Sequence, residues 1–387
     1  MDKAIMEFID LAAQRRRLGL RIDRAVARVL DHGRFVLGPE VDELERRLQE
    51  FSGARYCVTC ANGTDALELA LSAMNIGTGD GVVVPAFTYV ATAEAVVRVG
   101  ATPIFADVDT ETYNLRPESA AAAIRAAEDL GLRVRCVMPV DLFGQPADYA
   151  AIHRLAETHG LKVLADAAQS FGATWRGGRV GALAGVTTTS FYPAKPLGCY
   201  GDGGAIFTND EALASLLRSL RVHGQSERGG AYVHVGRNSR LDTIQAAVLI
   251  EKLSAFEEEI EARNVAARRY AERLPAQVVA PRIAEGNRSV WAQYTVRVPV
   301  GRDEVAASCR AAGVPIAVHY ATPLHRTPAY RRFPTAAPQL ENAESLSQEV
   351  LSLPIHADLD ERTQDRVIDA MREAVAAAAM TPRRARA

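Results

Sequence analysis

Between about residues 55 and 210, five short runs are apolar throughout instead of at every second position: Val82-Val83-Val84-Pro85, Pro103-Ile104-Phe105-Ala106, Cys136-Val137-Met138-Pro139-Val140, Val163-Leu164-Ala165-Asp166 and Gly204-Ala205-Ile206-Phe207-Thr208. A strand with one wet face alternates apolar and polar residues; a strand apolar at every position is covered on both faces. Longer helical patterns separate the runs, so this part of the chain predicts an α/β unit with a mostly parallel central sheet covered by helices. Ligands of such sheets lie beyond the C-terminal ends of the strands, which makes the residues ending each run candidates for chemistry.

A chain of 387 residues exceeds one domain of ~100–200 residues. From about Asp242 the pattern becomes one long helix through Ala246-Ala247-Val248-Leu249 to Glu257-Glu258-Glu259-Ile260-Glu261. Beyond it, Trp291 to Val298 reads as a strand, with further helical and extended segments to about residue 375. These shifts predict a large α/β domain with an N-terminal helical segment over 1–255 and a smaller α+β domain over 256–375. The alanine- and arginine-rich end, from Ala374 and chiefly 376–387, reads as a solvated, frayed tail.

The net charge of −2 argues against nucleic acid as the main partner. No apolar run approaches the ~20 residues of a bilayer span, and the acidic start at Asp2 and Glu7 lacks a secretory signal's apolar core, so no membrane role and a cytoplasmic location are expected. Five scattered cysteines do not make a disulfide framework, and Cys57 and Cys60 have no second Cys-x-x-Cys at zinc-ribbon spacing. Asp107, Asp109, Glu111 and Glu118 match four positions of a calcium loop, but Thr112 stands where the loop's sharp turn calls for glycine. No metal is expected.

Several motifs carry chemistry. Thr188-Thr189-Ser190-Phe191-Tyr192-Pro193-Ala194-Lys195-Pro196-Leu197-Gly198-Cys199-Tyr200-Gly201-Asp202-Gly203-Gly204 sets one lysine between a hydroxyl-rich strand end and a glycine-rich turn. An amine so placed suits a lysine that forms a Schiff base with the aldehyde of pyridoxal 5′-phosphate, although Lys-Pro before glycines is also an ordinary surface turn. Asn62-Gly63-Thr64-Asp65 joins a strand to a helix, with Gly63 permitting tight backbone and Thr64 able to cap; this is either a plain N-cap or a phosphate cradle. Asp166 ends a buried run, where its charge needs a cation: a pyridinium nitrogen is one, and a helix cap or a metal ligand are the alternatives. Gln169 would then meet the ring hydroxyl, Ala168 one ring face, and Tyr89, after Pro85-Ala86-Phe87-Thr88, the other, with Phe87 assigned to core packing.

Together and in this order, with Phe8-Ile9-Asp10-Leu11, Gly33 to Glu40, Asn238-Ser239-Arg240-Leu241-Asp242, His319-Tyr320 and Leu353-Pro354-Ile355-His356, these stretches resemble the DegT/DnrJ/EryC1/StrS family of pyridoxal-phosphate-dependent nucleotide-sugar aminotransferases, within fold type I. The resemblance covers nearly the whole chain. It implies that Lys195 is the Schiff-base lysine, Asp166 the pyridinium partner, Gln169 the O3′ contact, and Ser190 and Thr64 phosphate ligands. It further implies a homodimer in which Asn238 reaches the partner's phosphate. Within the family, Ser190 to Asp210 looks most like the enzymes that aminate UDP-2-acetamido-2-deoxy-3-keto-glucuronic acid with L-glutamate, for O-antigen or other surface polysaccharide. Arg240 is then a candidate for the uronic carboxylate, or equally for glutamate or a structural acid, and His319 and Tyr320 would line the sugar pocket.

Overall fold

The computed structural model describes residues 6–227 and 229–380. The apolar runs fold as expected. A seven-stranded sheet contains β1 (Tyr56–Cys60), β2 (Asp80–Pro85), β3 (Thr102–Ala106), β4 (Arg133–Val137), β5 (Lys162–Asp166), β8 (Val186–Ser190) and β9 (Gly204–Thr208), in the order β1-β9-β8-β5-β4-β2-β3. The pairs from β3 through β2, β4 and β5 to β8 are parallel, while β9 runs antiparallel to both β8 and β1. A small second sheet adds β6 (Thr174–Trp175) and β7 (Gly178–Arg179), paired with β10 (Asn287–Arg288).

Alternate strand residues enter cores on opposite faces, which is why the runs lack polar positions. Val82, Val84, Cys136, Leu164 and Ile206 pack with α4 (Gly63–Ala73), α5 (Ala91–Arg98), α8 (Glu211–Leu220) and α12 (Glu341–Glu349). On the other face, Val83, Val137, Val163 and Ala165 meet α6 (Pro117–Asp129) and α7 (Tyr149–His159). Ala205 and Phe207 meet α3 (Pro39–Ser52), α9 (Thr243–Leu253) and the start of α10 (Phe256–Arg273). Cys57 and Cys60, three apart on a strand, fall into different cores, so their spacing alone keeps the two thiols from pairing. The Asp107 carboxylate accepts from the N–H groups of Asn342 and Ala343 at 3.0 and 2.8 Å, at the start of α12.

A separate core forms around the antiparallel pair β11 (Tyr294–Arg297) and β12 (Val350–Leu353), with α11 (Arg302–Ala311), α13 (Glu361–Met380) and the second half of α10. Of the two N-terminal helices, α1 (Leu11–Leu18) and α2 (Leu20–His32), the second buries Ala25 and Val29 against Ala247 of α9.

Three expectations change. The long helix from Asp242 is two helices, α9 and α10, broken where Ser254 donates back to the Glu251 carbonyl at 2.7 Å; good helix formers on both sides hid a break decided by packing. The strand expected from Trp291 starts at Tyr294, because Trp291 takes a positive φ of 49° that ladder pairing does not allow. The stretch from Ala374, read as frayed, continues α13 to Met380 and buries Ala374 and Val375; residues 381–387 of the expected tail lie outside the described residues.

Candidate active site

The parallel strands end at one edge of the sheet, and the candidate residues sit there. Asp166 ends β5, Ser190 ends β8, Lys195 follows five residues on, and Gly63 opens α4 just after β1.

The junction of β1 and α4 is built around contact. The cap of α4 is Asn62, not Thr64: its side chain accepts from the Asp65 N–H at 2.8 Å. Thr64 lies in the first turn, so the backbone N–H groups of Gly63 and Thr64 have no acceptor within the helix and the Thr64 hydroxyl stays available beside them. A Cβ on Gly63 would stand 2.7 Å from the Ser190 Cβ, and one on Gly204 would stand 2.5 Å from the Asn62 carbonyl oxygen. Glycine is required at both places by close approach of protein to protein. Of the hydroxyls before the lysine, Thr188 and Thr189 donate to the carbonyls of Ala165 and Ala167 at 3.3 and 3.1 Å and serve the sheet. Ser190 alone faces the α4 junction; its oxygen accepts from the Tyr192 N–H at 3.3 Å, which leaves its own O–H to donate.

Asp166 is buried, with Oδ2 accepting from Thr92 Oγ1 at 2.7 Å and Oδ1 from the Ala168 N–H at 3.2 Å. Burial raises its pKa, against the hydrogen bonds and the charge of Lys195. Burial likewise lowers the pKa of Lys195, against the attraction of Asp166. Neither side chain forms a salt bridge with any of the described residues. A buried acid and a half-buried amine, neither with an ion-pair partner among the described residues, therefore lie close enough to feel each other's charge, and such an arrangement marks a functional site.

Gln169 Oε1 accepts from the Phe143 N–H at 2.7 Å, and its Nε2 donates to the Tyr320 hydroxyl at 3.1 Å, leaving one amide hydrogen free. Tyr320 lies against Phe87 and Tyr89, with ring centroids 6.0 and 6.3 Å away. Phe87 is buried, but Tyr89 is 55% exposed and presents an open aromatic face. Ala168 is half-buried beside Asp166. His319 shares a hydrogen bond through Nδ1 with Ser352 Oγ at 2.8 Å; burial, helped by the charge of Lys195, lowers its pKa to about 4, so its imidazole is neutral at neutral pH.

Asn238 and Arg240 stand apart. Asn238 is exposed, and Arg240 forms no hydrogen bond or ion pair with the described residues; between them Ser239 accepts from the Ala61 N–H at 3.2 Å, which pins the segment beside the α4 junction. Sequence reasoning missed Thr92, which holds the Asp166 carboxylate, and Asn62 as the cap. Asn62 had a readable signal, a capping residue before a helical pattern, whereas Thr92, the second residue of α5, had none.

The residues present fit pyridoxal phosphate: N–H groups and two hydroxyls for a phosphate, an unpaired buried carboxylate for a ring nitrogen, and an unpaired amine for an aldehyde. A separate cleft of about 390 Å³, between the segment 109–118 and the β6–β7 hairpin, contains none of these side chains.

Fold and site together are those of a fold type I transferase. The chain belongs to the DegT/DnrJ/EryC1/StrS aminotransferase family, whose model matches residues 17–372. It is 50% identical over 357 residues to the UDP-2-acetamido-2-deoxy-3-oxo-D-glucuronate aminotransferase of Pseudomonas aeruginosa, covering 92% of this chain and 96% of that protein. Among solved structures, a DegT DnrJ EryC1 StrS aminotransferase from Brucella abortus superposes with a TM-score of 0.93 at 49% identity, covering 95% of this chain and 99% of that one. NtdA from Bacillus subtilis, solved with bound cofactor PMP, superposes with a TM-score of 0.86 at 28% identity, covering 97% and 86%.

Proposed function

We propose that this protein transfers the amino group of L-glutamate to C3 of UDP-2-acetamido-2-deoxy-3-keto-glucuronic acid, with pyridoxal 5′-phosphate as cofactor. The product is a 3-amino nucleotide sugar for surface polysaccharide, of the O-antigen or lipopolysaccharide kind, and the enzyme works as a cytoplasmic homodimer with shared sites. The observation that carries this reading is the pair Lys195 and Asp166 at the strand ends, in a chain half identical to an aminotransferase of that name.

When bound, the cofactor supplies an aldehyde that can carry an amino group and a ring that takes up the electrons of a deprotonated carbon. Lys195 would hold that aldehyde, and its amine, once the donor amine takes its place, would carry the proton to and from the amino-acid Cα. Its burial-lowered pKa favours the neutral amine that this work needs. Asp166 would keep a proton on the ring nitrogen, with its carboxylate fixed by the hydrogen bond from Thr92. Gln169 would orient the ring through its hydroxyl, Tyr89 and Ala168 would pack against the ring, and Gly63, Thr64 and Ser190 would receive the phosphate. Asn238 reaches the partner subunit's phosphate, Arg240 takes the uronic carboxylate, and neutral His319 with Tyr320 lines the sugar pocket.

Purified protein assayed with glutamate and a panel of keto nucleotide sugars tests the reading: turnover is expected with the UDP-linked 3-keto uronic acid. Turnover confined to a dTDP- or GDP-linked keto deoxysugar would change the acceptor, and no amino transfer to any of them would overturn the function. Borohydride reduction and peptide mapping should place the pyridoxyl label on Lys195; label on Lys162 or Lys252 would overturn its role.

A further inference from the structure

A small chamber of about 10 Å³ touches Pro193 and Lys195 and is walled by α1, α10 and the segment after β12. That is room for about one water molecule. Three side chains from those walls each bring a buried polar atom with no hydrogen-bond partner among the described residues: Gln14 Oε1, Arg263 Nε and His356 Nδ1. Their other groups are accounted for differently. Gln14 Nε2 is spent on the Glu259 carboxylate at 3.0 and 2.9 Å. Arg263 is 3% exposed, gives Nη1 to the Trp291 carbonyl at 3.4 Å and forms no salt bridge with the described residues. His356 is 8% exposed, and none of its side-chain atoms is hydrogen-bonded within the described residues.

A buried donor or acceptor left unpaired costs more than an average hydrogen bond returns, so three such atoms on side chains that line one chamber call for a shared partner. The set suits a single water. Arg263 Nε–H donates to the water oxygen, and the water's two hydrogens go to Gln14 Oε1 and to His356 Nδ1, which completes three hydrogen bonds. Accepting at Nδ1 requires a neutral imidazole, and burial, followed by the charge of Arg263, holds His356 below its ordinary pKa.

We infer that Gln14, Arg263 and His356 hold one buried water against the Pro193–Lys195 turn and act as positioning residues for Lys195, tying the N-terminal helix and α10 to the placement of that lysine. The positioning role rests on the function proposed above; the water does not. A crystal structure of the holoenzyme at a resolution that shows ordered water should place one within hydrogen-bonding distance of all three atoms, and a dry chamber would overturn the inference.

The second arm uses apoenzyme and the rate of covalent cofactor uptake, read from the visible absorbance of the lysine-linked form, beside circular dichroism. His356→Leu is expected to slow uptake about tenfold, while His356→Gln, which keeps an acceptor, stays within about twofold of wild type. Wild-type uptake in His356→Leu, or an equal loss in both variants, would overturn the positioning role. If His356→Leu does not fold, Gln14→Met removes the acceptor from the α1 side and is read in the same way. Wild-type protein that links no cofactor to Lys195 would refute the proposed function and the positioning role with it, while the crystal still decides the water.

Discussion

Burial works against the charged forms of both Asp166 and Lys195. For Asp166 the raised pKa means that the folded chain without cofactor holds the carboxylate at a cost, which a ring cation would offset. Asp166→Asn is therefore expected to leave the cofactor-free fold at least as stable as wild type, measured by thermal denaturation. Half-transamination with glutamate should meanwhile fall by about 100-fold, because an amide cannot stabilise a protonated ring nitrogen. Near-wild-type formation of pyridoxamine phosphate in single turnover would remove Asp166 from this role. The lysine and the acid were both legible as residues, one from its glycine-rich setting and one from its place at the end of an apolar run. Thr92 was not, because a threonine within a helix becomes meaningful only when the fold brings its hydroxyl to 2.7 Å from that acid.

The β1–α4 junction is the element on which the phosphate reading turns. Its geometry is set by contact between Gly63 and Ser190, with the Asn62 cap holding the helix start. Gly63→Ala should push β8 and α4 apart and weaken cofactor affinity by about tenfold or more, measured by equilibrium titration of apoenzyme. Asn62→Ala should chiefly cost about 1 kcal/mol of stability through loss of the cap, seen in urea denaturation. Unchanged cofactor affinity in Gly63→Ala would show that the approach at 2.7 Å is slack and that the phosphate is held elsewhere. Helix α4 was readable from a strand, a glycine and a capping residue in a row. The break between α9 and α10 was not, since residues 243–273 hold no proline or glycine and the interruption depends on what α9 and α10 each pack against.

Across the whole molecule, a second buried acid lies under the site. Asp141 accepts from Ala147 N–H, Tyr149 OH and Ser170 Oγ at 2.8, 3.0 and 2.8 Å, yet burial raises its pKa from 3.8 to about 7. The folded state then holds this proton more tightly than the unfolded chain. Its contribution to stability is full below the unfolded value and is lost as pH rises from about 4 to about 7, with a slope of at most about 1.4 kcal/mol per pH unit. Urea titrations across that window should show the decline in apoenzyme and a flatter profile in Asp141→Asn; identical profiles would mean that Asp141 is ionised throughout. Assembly gives the other prediction at this scale. If Arg240 serves the partner's site, an isolated heterodimer of Lys195→Ala and Arg240→Ala chains holds one site with both native residues and should regain part of the activity. A verified heterodimer no more active than either parent would place Arg240 in its own subunit's site.

What this sequence determined by itself follows from local rules. Unbroken apolar runs demanded strands covered on both faces, and a parallel sheet directed attention to the strand ends where Asp166, Ser190 and Lys195 stand. What only the tertiary structure decided follows from burial and long-range contact. Asn62 and not Thr64 caps α4, Thr188 and Thr189 serve the sheet, His319 is neutral, and Gln14, Arg263 and His356 meet at one chamber although more than 240 residues separate the first from the second. A residue's type and near neighbours set which chemistry it can do. The dielectric around it and the partner left facing it are set by distant segments, and no window along the chain contains them.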